Sequence, residues 1–381
     1  MDTAMNQIRD LHAKANADER QQIQEQLRDL QRDLYTDWEI TFGLATGPLH
    51  WALIQIGVDL SIFTTLSSAS TPVTHEELVQ KTNAAPRLLQ NLLRSMAAFG
   101  FITETLKDTY AANRVSHIFA NPNVIGAAPH LSKIHTPVAQ VLPSYLKEHK
   151  YQDINDSKDL PFQQAVKTKL TPFEWMKSDP EQMKALGHIM VLDAVQSWVS
   201  SYPVEKEVGD FKVASDSALL VDIGGGFGQH SVFFKNKYPD IPGRIIVQDI
   251  PSTLAHAPAV EGIEFAAYDF FTRQTVCGAK FYYLRHVLHD WTDEDCIRIL
   301  SNIIPAMGPE SLILIDEVVL PDSKVPWQVA IMNLSMSACL GGMERSKEDW
   351  TNLLGRAGLK MVDVHKYDDV KFHSIVTAVP L

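Results

Sequence analysis

Cysteine is nearly absent from this sequence. Cys277, Cys296 and Cys339 are odd in number and far apart, so they offer neither a disulfide framework nor a paired Cys-x-x-Cys zinc site. A reducing, cytosolic compartment is the simplest expectation. Long apolar runs are missing too. No stretch reaches membrane-spanning length without a charge, and the opening "MDTAMNQIRDLHAKANADERQQ" is polar and mixed in charge, without the apolar core of a signal peptide. Dense Lys/Arg clusters are lacking as well. The formal net charge of −12 repels phosphate backbones and anionic lipid, so neither nucleic acid nor a membrane is an expected partner. What is left is an ordinary globular composition, 45% hydrophobic and 21% charged. Its 381 residues call for two domains or three.

The first part of the chain is helical by pattern. Ile23, Leu27, Leu30 and Leu34 recur at spacings of three and four, one face of a packing or dimer-contact helix. Residues 47 to 66 are apolar nearly all round and predict a helix buried on most sides. Thr74 with Glu77 three residues on predicts a capping box, and Gly100 predicts the close of a second helix, "APRLLQNLLRSMAAFG". "FITETLKDTYAAN" reads as strand, turn, strand. Helix, helix, wing is the winged-helix order, but a DNA-reading second helix should be basic. This one sets Arg87 and Arg94 among Leu, Met and Ala, which predicts packing. Residues 120 to 205 concentrate aromatics and methionine, among them Phe162, Phe173, Trp175, Met176, Met190 and Trp198. Each alone is a core residue; together they suit the lining of an apolar pocket.

Near residue 210 short apolar runs begin to alternate with helical ones, which predicts a mostly parallel sheet covered by helices. Ligands of such sheets sit at the carboxyl ends of the strands. In "LLVDIGGGFGQHS" a strand ends at Asp222, and Gly224, Gly226 and Gly228 turn the chain into a helix. A dinucleotide site would want a third glycine that is not there. Asp222 instead suits a cofactor with a positively charged amino-acid end. Asp249, closing the next strand, can accept ribose hydroxyls. Asp269, beside Phe270 and Phe271, can hold an adenine amino group against a ring. "YYLRHVLHDW" then begins as a strand whose end faces the crevice. Arg285 there can bind a carboxylate, and His289 four residues on can take a proton near neutral pH. Glu317 in "LILIDEVV" and Glu344 in "GGMERS" can orient it. His286 and His289 would share a side if the chain turns helical there, but no third ligand is spaced with them, so no metal is expected.

These six motifs, in this order, resemble the caffeic-acid-type, class I S-adenosylmethionine-dependent O-methyltransferases, the fungal natural-product branch most of all. The resemblance covers most of the chain. It implies an α/β fold: a Rossmann-like class I methyltransferase sheet with a helical, winged-helix-type N-terminal dimerisation domain, and hence a homodimer. The expected boundary falls near 205, with residues 1–205 as dimerisation and substrate-lid domain and 206–381 as cofactor domain. The implied cofactor is S-adenosyl-L-methionine, held by Asp222, Gly224, Gly226, Gly228, Asp249, Asp269, Phe270 and Arg285. His289 matches the general base, flanked by Glu317 and Glu344, and His286 has no implied role. The expected substrate is a phenol, enol or hydroxypyridone-like secondary metabolite. Some fungal members of this family keep fold and cofactor but carry out dehydration and pericyclic ring formation without methyl transfer. His130, His135, Phe173, Trp175, Met176 and Met190 would suit substrate contact in either chemistry.

Overall fold

A computed structural model describes residues 2–193, 198–209, 211, 217–255 and 257–381. Residues 210 and 212–216, where the sequence pattern changes, lie outside the described residues. The chain divides into two compact units, Met1–Ser132 with Asp179–Asp193, and Lys133–Ser178 with Ala194–Leu381.

In the first unit, helices Asp2–Lys14, Ala17–Leu34 and Asp37–Ala45 have no buried residue. Ile23 is half-buried, but Leu27, Leu30 and Leu34 are 38%, 49% and 74% exposed, so most of the apolar face read from the sequence is left uncovered by the described residues. Residues 47 to 66 form two helices, not one. Gly47–Asp59 and Ile62–Ser68 are separated at Ser61, which is left-handed at φ 54, and the pair bends by 62°. The break lets Leu53, Ile54, Ile62, Phe63 and Leu66 all face one core, which Leu78, Leu89, Leu93 and Met96 complete. The capping box forms as expected: Thr74 Oγ1 accepts from Glu77 N, and Thr74 N donates to Glu77 Oε2 at 2.7 Å. Gly100, at φ 72, follows helix Pro86–Ala98. Strands β1 (Val73–Thr74), β2 (Thr103–Leu106) and β3 (Thr109–Ala111) make the small wing sheet, order β1-β3-β2. No single helix among the described residues is long and apolar enough to cross a membrane.

The second unit is built on the predicted alternation. Its strands are β4 (Ala218–Ile223), β5 (Arg244–Asp249), β6 (Glu264–Ala267), β7 (Phe281–Arg285), β8 (Leu312–Leu320), β9 (Arg345–Ser346), β10 (Leu359–Lys366) and β11 (His373–Pro380). The order across the sheet is β10-β11-β8-β7-β4-β5-β6, with β9 on β8. Pairs from β6 to β8 are parallel, and β11 runs antiparallel between β8 and β10. Every residue of β4 is buried, because alternate side chains feed two different cores. Val221 and Ile223 join Tyr282, Leu284 and Ile315 on one face, and Leu220 joins Val247, Phe281 and Leu314 on the other. From β4 the chain proceeds to β5 and β6 on one side, then returns to β7 and β8 on the other. That reversal opens a crevice at the carboxyl ends of β4 and β7.

Candidate active site

The crevice is walled by the two stretches that the sequence singled out. After β4, Gly224, Gly226 and Gly228 all take positive φ, at 70, 57 and 78. A Cβ on Gly228 would sit 3.2 Å from Val247 and 3.3 Å from Phe265, so this glycine packs the loop onto the sheet. A Cβ on Gly224 would lie 2.9 Å from Val287 and 3.9 Å from the Phe270 ring. Gly226 differs: nothing among the described residues lies within 4 Å of its Cβ position. Its N–H donates to Asp249 Oδ2 at 2.9 Å, while Asp249 Oδ1 accepts from Ile250 N at 2.7 Å. Each oxygen of Asp249 thus keeps a lone pair for a further donor.

Beneath the loop, Asp222 is 2% exposed and accepts from Ser231 Oγ at 2.7 Å. Burial pushes its carboxyl up to about 7, against the Ser231 bond and Arg285, and with the help of Asp249 and Asp316. A bare backbone shelf, a buried acid below it and a half-engaged carboxylate beside it fit a ligand that carries both a cation and hydroxyl groups. Asp269 is exposed and accepts from Phe271 N at 2.9 Å.

Across the crevice β7 ends at Arg285. Its guanidinium donates to Asp316 Oδ2 at 2.8 Å and to Tyr367 OH at 2.7 Å. Tyr283 and Tyr367 also donate to Asp316, at 2.5 and 2.7 Å. The carboxylate expected for Arg285 is therefore met inside the protein, by a fully buried Asp316 directly opposite it in the β7–β8 register. Burial opposes the charge on Arg285, and Asp316 more than offsets that, raising its pKa.

The next residue, Asp316's neighbour Glu317, points to the other side of β8, as successive strand residues must. Its Oε1 accepts the N–H groups of Val287, Leu288 and His289 at 3.1, 3.0 and 3.3 Å. His286 makes that convergence possible by adopting φ 48, uncommon for a residue with a side chain. Residues Leu288–Asp290 then form a single tight turn instead of a helix.

His289 stands on this turn. Its Nδ1 lies 2.9 Å from Glu344 Oε1 and 3.7 Å from Glu317 Oε2, and its Nε2 is 3.4 Å from Asp290 Oδ1. Burial works against the imidazolium, but Glu317, Asp290 and Glu344 outweigh it and hold the pKa well above 6.5. Burial lifts Glu317 to about 7 and Asp290 to about 6, in each case against the attraction of His289. His286 is shifted the other way: burial, then Arg285, His289 and His373, push it well below 6.5. The carboxylates thus favour the protonated form of His289, while burial and its neighbours favour the neutral form of His286. One imidazole and two glutamates lie within 4.8 Å of one another, close enough to hold a divalent cation. The 2.9 Å Nδ1 contact is itself a charge-assisted hydrogen bond to Glu344 Oε1, whereas Glu317 Oε2 and Glu344 Oε2 are buried without a hydrogen-bond partner among the described residues.

The remaining expected residues fall into two groups. Phe173 stacks on Trp291 at 5.2 Å, and Phe270 and Phe271 meet the same indole at 5.9 and 4.8 Å. This aromatic cluster joins Phe173 and Phe270 to the turn that carries His289. Trp175 packs edge-on against Phe162 at 5.6 Å, and Met176 is 2% exposed, a packing position. His135 Nδ1 is 2.7 Å from Ser335 Oγ, and burial lowers its pKa. His130, buried at the end of helix Pro122–His130, and Met190, 47% exposed on helix Pro180–Asp193, belong to the first unit.

Sequence reasoning passed over Asp316, Tyr367, Trp291 and Asp290. Only Asp316 carried a signal, an acid inside an otherwise apolar strand run.

Comparison with known proteins adds two family matches. The O-methyltransferase domain matches residues 144–360, and the O-methyltransferase dimerisation domain matches residues 43–122. The chain is 48% identical over 380 residues to demethylsterigmatocystin 6-O-methyltransferase of Aspergillus parasiticus, covering 100% of this chain and 98% of that one. A solved structure described as a pericyclic reaction enzyme superposes with a TM-score of 0.94 at 32% identity, over 100% of this chain and 98% of its own. OxaC in complex with SAH and oxaline superposes at 0.88 with 26% identity, over 100% of both chains.

Proposed function

The chain belongs to the O-methyltransferase family, and from that premise we propose that it methylates a hydroxyl of a phenolic secondary metabolite, with His289 as the base. The observation that carries the proposal is the 2.9 Å contact between His289 Nδ1 and Glu344 at the carboxyl end of β7. When bound, S-adenosylmethionine supplies an electrophilic methyl group. Asp222, Gly224, Gly226, Gly228 and Asp249 would hold it, with Phe270 alongside the loop. Asp269 and Arg285 belong to the same expected set, although the Arg285 charge is already matched by Asp316.

The protein's own part is to prepare the acceptor oxygen. Glu344 accepts a hydrogen bond from the Nδ1–H of neutral His289 and so favours the tautomer whose Nε2 is free to take a proton from the acceptor. Glu317 fixes the turn through three backbone N–H groups. The neutral form of His289 removes the hydroxyl proton, and the oxygen becomes a nucleophile. Alignment of the two reactants supplies much of the rate. His135, Phe173, Trp175, Met176, His130 and Met190 remain candidates for substrate contact. The division of labour that goes with this reading gives residues 1–205 dimerisation and substrate cover, and 206–381 cofactor binding. The matched dimerisation domain supports a homodimer, and three scattered cysteines without a disulfide framework support a cytosolic setting.

A pericyclic or dehydrating activity is the second reading, favoured by the 0.94 superposition on a pericyclic reaction enzyme. Incubation with methyl-labelled S-adenosylmethionine and a panel of phenols separates the two. Label in the product with one equivalent of S-adenosylhomocysteine supports methyl transfer. Product formed without S-adenosylhomocysteine replaces it with the second reading.

A further inference from the structure

The turn that carries His289 has little hydrogen bonding of its own. Its internal bonds, Asp290 N to Val287 O and Trp291 N to Leu288 O, are both 3.3 Å, and the His289 N–H is given to Glu317. Its N–H groups are held by Glu317, and its carbonyls by the segment that follows Gly341. Arg345 is 1% exposed, and its guanidinium reaches both sides of the base. Nη1 donates to Leu288 O at 3.1 Å and Nη2 to Trp291 O at 3.2 Å. Nε and Nη2 donate to Asp293 Oδ1 at 3.1 and 2.8 Å, where the next helix begins. The guanidinium carbon lies 5.3 Å from the ring centroid of Trp350 beneath it. A planar fork of this kind fixes two carbonyls and a carboxylate in one geometry, which a flexible ammonium does not. The same segment touches the turn twice more. A Cβ on Gly342 would stand 1.9 Å from His289 O and 2.7 Å from Asp290 C, so only glycine lets this loop approach the turn. Glu344, one residue before Arg345, receives His289 Nδ1.

We infer that Arg345 is a positioning residue for the base: by pinning the carbonyls of Leu288 and Trp291 it sets the distance and angle at which His289 meets Glu344. Its charge has no contact with the glycine loop among the bonds described. A misplacement of about 1 Å in such an arrangement costs about 10²-fold in rate. The groups that face His289 are Asp290 on the turn, Glu317 from β8, Glu344 from the clamp segment and His286 from the end of β7. Slackening the clamp weakens the Glu344 contact first, because Glu344 and Arg345 are consecutive.

The inference rests on His289 being the base, so three variants are measured together: Arg345→Lys, Asp293→Asn and His289→Ala. Asp293 is 40% exposed and its loss frees one arm of the fork without opening the core. For Arg345→Lys the expected result is a turnover lower by about 10–100-fold. S-adenosylmethionine affinity by calorimetry should stay within about twofold, and the acidic limb of kcat/KM against pH should move down toward 6.5. Asp293→Asn should show the same pattern more weakly. A purely structural Arg345 would lower the melting temperature and leave turnover and the pH limb where they were, and that result overturns the inference. If Arg345→Lys does not fold, a folded Asp293→Asn with parent turnover and pH profile overturns it equally. If His289→Ala keeps parent turnover, the base assignment itself has failed, which is a different outcome from loss in His289→Ala with no change in the other two.

Discussion

At the scale of single residues, the site is governed by where protons rest. His289 is clasped by Glu344, Glu317 and Asp290 and titrates well above 6.5. A base acts only when neutral, so kcat/KM should rise with pH through a limb above 6.5, not at it. Glu344→Gln removes one of the charges that raise the imidazole and should carry this limb downward. His289→Gln should abolish the limb and cost about 10²–10⁴ in turnover. Steady-state rates from pH 5 to 9 check all three. Asp222 offers a second proton-linked test. Its carboxyl is lifted to about 7 by burial, while a cation above it would favour the ionised form. S-adenosylmethionine affinity should therefore increase as pH rises through about 7, with a proton released on binding at the acid end. Asp222→Asn should bind weakly and without that dependence. Calorimetry in buffers of different ionisation enthalpy counts the proton directly, and a flat affinity between pH 6 and 8 would sink the assignment of Asp222.

At the scale of elements, the glycine loop separates folding from binding. Gly226 needs its left-handed backbone, but its Cβ position is open. Gly226→Val should cost about 1 kcal/mol or somewhat more in stability from the positive φ alone. Cofactor binding should be nearly lost, because the side chain fills the shelf. Gly228→Ala should behave differently, since its Cβ meets Val247 and Phe265 at 3.2–3.3 Å. It should destabilise the unit, and melting with and without S-adenosylmethionine tells the two cases apart. The same loop shows how much of the site was legible beforehand. Asp222, the glycines, Asp249 and His289 all sit at strand ends, where an alternating pattern reveals them. The partner of Arg285 did not emerge, because Asp316 and Arg285 are 31 residues apart and meet only through the pairing of β7 with β8. The helix read over residues 47–66 failed for a related reason. Its composition is apolar throughout, and a break at Ser61 is decided by which core each half must reach.

At the scale of the whole molecule, helix Ala17–Leu34 carries an apolar face that the described residues leave largely uncovered. Leu27, Leu30 and Leu34 lie exposed, and an exposed apolar face of this kind marks an interaction surface. With the dimerisation domain matched over residues 43–122, the partner expected for it is a second copy. Leu27→Glu with Leu30→Glu should convert a dimer to a monomer in sedimentation at micromolar concentration, since a specific interface needs about 1,000 Å² or more of well-packed surface. A parent protein that is itself monomeric at that concentration would remove the basis for this prediction.

Local rules were enough for the alternation of strand and helix, the Thr74 capping box, the glycine turn after Asp222 and the histidine four residues beyond the end of β7. Each depends on periodicity or on the conformational habits of one or two residues, and those act over a few positions of chain. The strand order, the ion pair that occupies Arg285 and the protonation of His289 depended on groups far apart in sequence. So did the contact of the 341–345 segment with the 288–291 turn. Burial and Coulomb interaction set these features, and both depend on which groups the fold brings within a few ångströms. The amino acids point to His289 as the candidate base, and its surroundings set the direction in which its pKa moves.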